Sequence, residues 1–461
     1  MSETVDLLII GGGPAGLAAA VEADGLGLSV LLLDEQTEPG GQIYRSIESV
    51  YPDTLDLLGE DYRQGAVIAE RFRKSNASYK PGAAVWRVDE DGLVAYSQNG
   101  KGATASGNRV LVATGAMERP MPIPGWTLPG VITAGGAQVL LKSAGMIPSG
   151  RVIVAGCGPL ALLITQQLIT AGADVAAMLE TTRASDYLSA SPHLFSALSA
   201  SDYLRKGRRM RRDIKRAGVP IYSGVSNFAA IGEDKLSAVS FSRDGARTEI
   251  AVDTLLLHVG VVPNTQITRQ VFCEHEWYAP QRYWRPVRDE WGATSQAAIA
   301  VAGDGGGIDG AAAAGLHGRL AALDAARRQS KIELAERNRR ADPIRYELAA
   351  HQSIRPLLDA LFPPPPEICA PRDSDTIVCR CEEVSAGDIR DAVALGAMGP
   401  NQLKAFTRCG MGPCQGRMCG LTVAEIVAQA KDQSVESVGY YRIRPPIKPV
   451  TMGELAAMAD E

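Results

Sequence analysis

The chain has no run of about 18 apolar residues, so a membrane-spanning helix is not expected. Its start, MSETVDLLII, lacks the basic opening of a secretory signal and runs straight into a glycine-rich turn. Lys and Arg number 47 against 52 Asp and Glu, so no basic excess argues for a nucleic-acid partner. Histidines are few and scattered, at His193, His258, His275, His317 and His351, without ligand spacing. His258 lies in an apolar strand and reads as a satisfied core residue. No Ser/His/Asp or paired-carboxylate constellation can be defended, and no CxxC pair occurs. A cytoplasmic location is expected, with any membrane association peripheral and through partners.

What is present is glycine, 48 residues of it, in a chain of 461 that is long enough for two or three cores. The run VDLLII ends at Gly11-Gly12-Gly13-Pro14-Ala15-Gly16; a helical stretch follows, then SVLLLD closing on Asp34. Strand, turn, helix and strand fall in the order that the dinucleotide fingerprint requires. Gly11 permits the tight turn, Gly13 the approach of a pyrophosphate, and Gly16 close helix–strand packing. Asp34 is placed to accept from a ribose, with Glu35 as the fallback. A second copy starts at Arg151, with Gly156-Cys157-Gly158-Pro159-Leu160-Ala161 as its turn and Glu180 as its acidic end.

Three further motifs follow the first fold: Pro39-Gly40-Gly41-Gln42, Ala113-Thr114-Gly115 and Gly303-Asp304. With them the chain resembles the two-dinucleotide-domain flavoproteins typified by thioredoxin reductase. The resemblance implies FAD in the first fold, with Gly41 and Gln42 along the flavin and Asp304 on the ribityl chain or a phosphate. It implies a nicotinamide nucleotide in the second fold, where Glu180 would favour an unphosphorylated ribose. Without a CxxC pair, however, the familiar disulfide chemistry has no terminus.

Six of the eight cysteines crowd into the last quarter: Cys369, Cys379, Cys381, Cys409, Cys414 and Cys419. Thiolates in fours suit iron–sulfur clusters or zinc, and a CxC pair is less usual for zinc ribbons. Gly410, Gly412 and Gly416 leave backbone amides free to approach the sulfurs. The segment VCRCEEVSAGDIRDAV…TRCGMGPCQGRMCG is similar to bacterioferritin-associated-ferredoxin-type [2Fe-2S] domains. That resemblance assigns Cys379, Cys381, Cys414 and Cys419 as ligands and leaves Cys409 as a packed thiol.

DEQTEPGGQIYR, which ends on Arg45, ATGAMERPMPIPGWTLPGV, AGCGPLALL and the tail YYRIRPPIKPVT together resemble the alpha subunits of bacterial opine oxidases or dehydrogenases. Hydrogen cyanide synthase and D-hydroxyproline dehydrogenase subunits share that family. The resemblance implies an electron-transferring subunit of a heteromeric dehydrogenase acting on an opine, D-hydroxyproline or similar secondary amine. A beta subunit similar to D-amino-acid or sarcosine oxidase would hold the substrate, so no catalytic residue is expected here. Electrons would pass to quinone or another non-oxygen acceptor. A small third subunit, FMN at a subunit interface, and ATP or NAD(P) in the second fold are further expectations. The alternatives are a self-sufficient NAD(P)H-dependent flavin oxidoreductase and a hydrogen cyanide synthase subunit.

The expected architecture is α/β: two Rossmann-like domains of the thioredoxin/glutathione reductase type, the second inserted in the first, plus a small helical [2Fe-2S] domain. The boundaries are 1–120 and 261–330 for the FAD domain, 121–260 for the second fold, 331–375 for a linker, 376–435 for the cluster domain and 436–461 for the tail. Pro363 to Pro366 favour a stiff polyproline spacer. The basic run 205–216 reads as a solvated helix face, and Trp277, Trp284 and Trp291 as core or loop packing.

Overall fold

The computed structural model describes residues 3–458. Its first sheet is built from near-continuous apolar strands, as parallel strands covered on both faces require. Ser78–Pro81, Val30–Asp34, Glu3–Ile10 and Lys101–Val112 lie side by side in parallel, and Ile299–Val301 joins beyond Lys101–Val112. Ile10 is level with Leu33 and Val112, so the first glycine turn and the Ala113-Thr114-Gly115 segment leave the sheet at one edge. The other end of Lys101–Val112 makes an antiparallel layer with Leu93–Gln98 and Ala84–Val88.

Helix Pro14–Gly25 begins on a proline, where a missing amide hydrogen costs nothing. Its small residues Ala15, Ala19 and Ala20 pack with Ala314, Ala321 and Ala322 of helix Ala311–Arg328. That second helix lies some 300 residues away in sequence, so the first domain is indeed split around an insertion.

The insertion carries its own parallel sheet, in the order Ile221–Ser223, Asp174–Glu180, Arg151–Cys157, Thr254–Val259 and Val131–Thr133. A three-stranded antiparallel sheet, Ser226–Gly232, Leu236–Arg243 and Ala246–Ala251, covers it. Ala116–Glu118 and Val261–Pro263 pair antiparallel where the chain leaves and re-enters the first domain.

Residues 331–375, expected as a linker, instead hold helices Leu334–Gln352 and Arg355–Leu361 and the short turn Pro366–Cys369. Ala341, Ile344 and Leu348 join the first domain's core, which explains why this stretch is structured. Of the four prolines, Pro363 to Pro365 lie outside helices while Pro366 opens Pro366–Cys369, so the spacer is shorter than expected. Two of the three tryptophans form a hairpin: strands His275–Tyr278 and Tyr283–Pro286 set Trp277 opposite Trp284, with ring centroids 5.6 Å apart, while Trp291 is buried in the first domain's core.

Beyond it, helices Ala386–Ala394, Pro400–Thr407 and Gly420–Lys431 surround the cysteines. Their apolar residues, among them Ile389, Leu403, Val423 and Ile426, share one core with Val85, Val94 and Val110 of the first sheet. The tail then returns to the first domain, where Ile447 donates its amide to the Trp86 carbonyl at 2.9 Å. No helix among the described residues is long and apolar enough to cross a membrane.

Candidate functional site

At the first glycine turn the structure gathers motifs far apart in sequence. Gly11 has φ of 110°, and a Cβ there would come 2.5 Å from the Ala113 carbonyl oxygen, so the turn and the Ala113-Thr114-Gly115 segment touch. Gly41 has φ of 61° and faces Gly13, where a Cβ would come 2.8 Å from the Gly13 Cα. The Gly40 amide donates to the Gly12 carbonyl at 2.7 Å, which closes the Pro39–Gln42 loop on the turn. Gly303 lies against Ala15, and Asp304 accepts from the Asp309 and Gly310 amides at 2.9 Å each. Pro14, at the first position of the helix, leaves its N-terminal amides toward the turn.

The acidic pair is divided. Asp34 is 5% exposed, and burial pushes its carboxyl above the usual range against opposing hydrogen bonds from the Gln36 and Gly12 amides. Glu35 is exposed and ion-pairs with Lys448 of the tail. A buried carboxylate at the end of the second strand, beside a phosphate-type turn, fits a nucleotide's ribose hydroxyl. Arg45 is half-buried, and its carbonyl accepts from the Tyr62 hydroxyl.

Sequence reasoning missed Lys142, on helix Ala134–Ala144. Its Nζ donates to the carbonyls of Gln42 (3.1 Å) and Ile43 (2.9 Å) and to Gln138 Oε1 (3.0 Å). Burial, aided by Arg45, pulls this lysine down to about 7. A lone lysine on an amphipathic helix gives no sequence signal for such a role.

The second turn keeps its expected form, with helix Pro159–Thr170 rising from Gly158. Glu180, 2% exposed, already accepts from Arg211 Nη1 at 2.6 Å and Ser223 Oγ at 2.9 Å. Arg211 comes from helix Ser201–Arg216, so one member of the basic run turns inward while most of the others are solvated. His258 is buried, and its Nδ1 is bonded to Glu118 Oε1 at 2.6 Å.

The cysteines divide into two sets. Cys379, Cys409 and Cys419 bring their sulfurs within 4.8 Å of one another, all buried. Cys381 has its sulfur within hydrogen-bond reach of the Cys414 thiol and amide. Hydrogen bonds from Cys409 and Cys419, assisted by the Gly410 and Glu382 amides, draw Cys379 down to about 2. Cys409, expected only as packing, is thus inside the sulfur group, while Cys381 and Cys414 do not join it. Tyr441 closes the group: its hydroxyl donates to the Cys409 carbonyl at 3.1 Å and its ring rests on Gly410 and Gly416. Gathered thiols with amide donors nearby suit an iron–sulfur cluster or a zinc ion.

Between the first domain and the cysteine domain runs a cleft lined by Gln266, Trp284, Arg417 and Tyr440. Around it Gln266 Oε1, Trp284 Nε1, and Arg269 Nε and Nη2 are buried without partners. The Arg269 guanidinium is 4.3 Å from the Tyr440 ring centroid and 5.1 Å from that of Trp284.

Residues 5–332 match the pyridine nucleotide-disulphide oxidoreductase family, and residues 374–459 match the sarcosine oxidase A3 domain. The A subunit of opine oxidase from Agrobacterium tumefaciens (strain Ach5) is 44% identical, over 99% of this chain and 92% of that protein. The chain belongs to the pyridine nucleotide-disulphide oxidoreductase family and, within it, to the subunit family that includes the opine oxidase A subunits. It is accordingly an oxidoreductase, and the first family carries FAD binding with it. Hydrogen cyanide synthase subunit HcnB of Pseudomonas aeruginosa is 32% identical over 98% of this chain and 99% of its own length. Among solved structures, L-proline dehydrogenase from P. horikoshii superposes with a TM-score of 0.71 at 22% identity, over 99% of this chain and 80% of that one. Thioredoxin reductase of T. acidophilum gives 0.51 at 18% identity, over 71% and 99% of the two chains. Both likenesses are of fold, and they agree with the split first domain.

Proposed function

We propose that this chain is the flavin- and cluster-bearing subunit of a heteromeric dehydrogenase whose substrate is an opine or a similar secondary amine. The carrying observation is the near full-length identity to the opine oxidase A subunits, joined to a sulfur group in the segment matching the sarcosine oxidase A3 domain. The likeness to the A subunit of a two-subunit oxidase and to sarcosine oxidase alpha subunits supports placing amine oxidation on a beta partner. A flavin takes electrons in pairs and yields them singly, and a [2Fe-2S] cluster takes one at a time.

The chain's own residues bind and orient. The Gly11–Gly16 turn and helix N-terminus hold the FAD pyrophosphate, Asp34 reaches the ribose, and Lys142 fixes the carbonyls of the Gln42–Ile43 loop. Cys379 and Cys419 ligate the cluster. Its other ligands come from Cys381, Cys409 and Cys414: the resemblance favours Cys381 with Cys414, and the observed sulfur group favours Cys409. Tyr441 and the shared core exclude water from the sulfurs.

An FMN at the partner boundary fits the cleft of Gln266, Trp284 and Tyr440, where the Trp284 Nε1 and Arg269 guanidinium donors and the Gln266 Oε1 acceptor suit an anion or a ring edge. The second fold takes an adenine nucleotide, ATP or NAD(P), and the prior engagement of Glu180 by Arg211 weighs against its use as a free ribose acceptor. Quinone or a comparable carrier accepts the electrons, and a small third subunit completes the assembly.

The test is to express the chain with its neighbouring beta partner and add secondary amines anaerobically. Bleaching of the flavin by an opine or imino acid, but not by NADH, is expected. Rapid bleaching by NADH with no response to amines would overturn the reading.

A further inference from the structure

Residues 187–200 carry no Asp, Glu, Lys or Arg, and they fold with small side chains inward and large ones outward. Helix Ala184–Ala190 and the turns Leu194–Ala197 and Leu198–Ala200 bury Ala190, Ala197 and Ala200 in one core with Ile354 and Leu357. Phe195 is instead 85% exposed, Leu188 75% and Leu198 61%, and Tyr187 and Leu194 also face water. A single exposed leucine is ordinary, but several large apolar side chains together are not. Leu194, Phe195 and Leu198 fall within one helical arc, opposite Ala197, so they make one patch.

The 16-residue helix Ser201–Arg216 follows, joined through the one non-helical residue Ala200 (φ −113°, ψ 36°). It buries Met210 and Ile214, and on the opposite side Arg205, Arg208, Arg209, Arg212 and Arg216 are exposed at helical spacing. Its two acids offset only Arg205 and, at 3.8 Å, Arg209. Arg208, Arg212, Lys215 and Arg216 form no ion pair among the described residues. In a chain of net charge −5 this is a local concentration of cations. The two segments share one support: Ser199 Oγ lies 2.8 Å from Ser353 Oγ and the Tyr203 hydroxyl 2.9 Å from His351 Nδ1, both at the end of helix Leu334–Gln352. Backed by the same helix end, the apolar and basic faces adjoin.

These two faces ask for one surface that is anionic on top and apolar just beneath. An acidic protein face would answer the arginines but leave the apolar patch in water, and an apolar protein face would do the reverse. A bilayer containing anionic lipid has that layering: its phosphates pair with guanidinium groups, and its acyl boundary takes up nearby apolar side chains. We propose that residues 187–216 dock this chain directly on an anionic membrane surface. Leu188, Phe195 and Leu198 enter the acyl boundary, while Arg208, Arg212 and Arg216 meet the lipid phosphates. The docking is peripheral, since no helix among the described residues can span a bilayer. It does not depend on which carrier accepts the electrons.

The experiment floats the purified complex with vesicles of phosphatidylcholine, with and without phosphatidylglycerol, at low and high salt. Wild type is expected to rise with the anionic vesicles, far less with the neutral ones, and less as salt screens the charges. Combining Arg208→Gln, Arg209→Gln and Arg212→Gln should lower partitioning about a hundredfold. Combining Phe195→Ser with Leu198→Ser should lower it about tenfold and remove what binding survives high salt. All five positions are exposed, and unchanged flavin content certifies that both variants fold. A wild-type complex that stays with neither vesicle overturns the proposal, as does equal flotation of all three proteins. Loss of the beta partner from the serine variant, with vesicle binding unchanged, would reassign the patch to a subunit interface and overturn it too. Flavin bleaching by amines, measured on the same samples, is expected in both variants; its absence in a wild type that floats would sink the functional reading and leave the docking standing.

Discussion

Tyr441 contributes through two separable contacts, a hydroxyl on Cys409 and a ring on two glycines. Tyr441→Phe removes only the hydrogen bond and should cost about 1 kcal/mol of domain stability. Tyr441→Ala also opens a cavity beside the sulfurs, and a loss of about 3–5 kcal/mol is expected. Denaturant melts of the holoprotein check both, and equal losses would show that the ring is not what closes the site. Lys142 makes a pH prediction. An unfolded lysine keeps its proton to about pH 10.4, whereas burial draws the folded one down to about 7. Between those values the unfolded chain binds more protons, so the contribution of this group to stability rises with pH across that window and is constant below it. Lys142→Met should abolish that rise in urea midpoints measured across the window.

At the scale of elements, helix Gly420–Lys431 is tied to the first domain by one buried carboxylate. Glu425, 5% exposed, accepts from Arg282 Nε at 2.7 Å and from its Nη2. Glu425→Ala removes the carboxylate from a guanidinium that water reaches in part, and should destabilise docking by about 1–2 kcal/mol. Faster proteolytic release of the cysteine domain is the readout, with Glu425→Gln intermediate. This tie was not legible beforehand, because residues 143 positions apart reveal pairing only once folded. The glycine turns, by contrast, were legible: strand, turn and helix are contiguous, so local sequence carries the whole pattern. The segment 331–375 reads as a linker in sequence because its apolar residues, Ala341, Ile344 and Leu348, are spaced among many charges, and packing against a distant core decides their fate.

Over the whole molecule, the split of the first domain could be read from motif order alone, since Ala113-Thr114-Gly115 and Gly303-Asp304 bracket a complete second fold. The sulfur group could be anticipated as a group, but not its membership. Spacing along the chain does not say which three sulfurs meet, and the left-handed Arg408 (φ 60°) and the turn after it swing Cys409 toward Cys379. A serine scan separates the two ligand sets. Cys379→Ser and Cys419→Ser should each abolish iron binding, while Cys409→Ser keeps iron only if Cys381 and Cys414 are the remaining ligands. The most direct measurement of the central claim is the cofactor content of the complex, purified without air. The account expects about one FAD and about two irons per chain, with matching acid-labile sulfide. A chain that binds zinc in place of iron, or that carries no flavin, would contradict it.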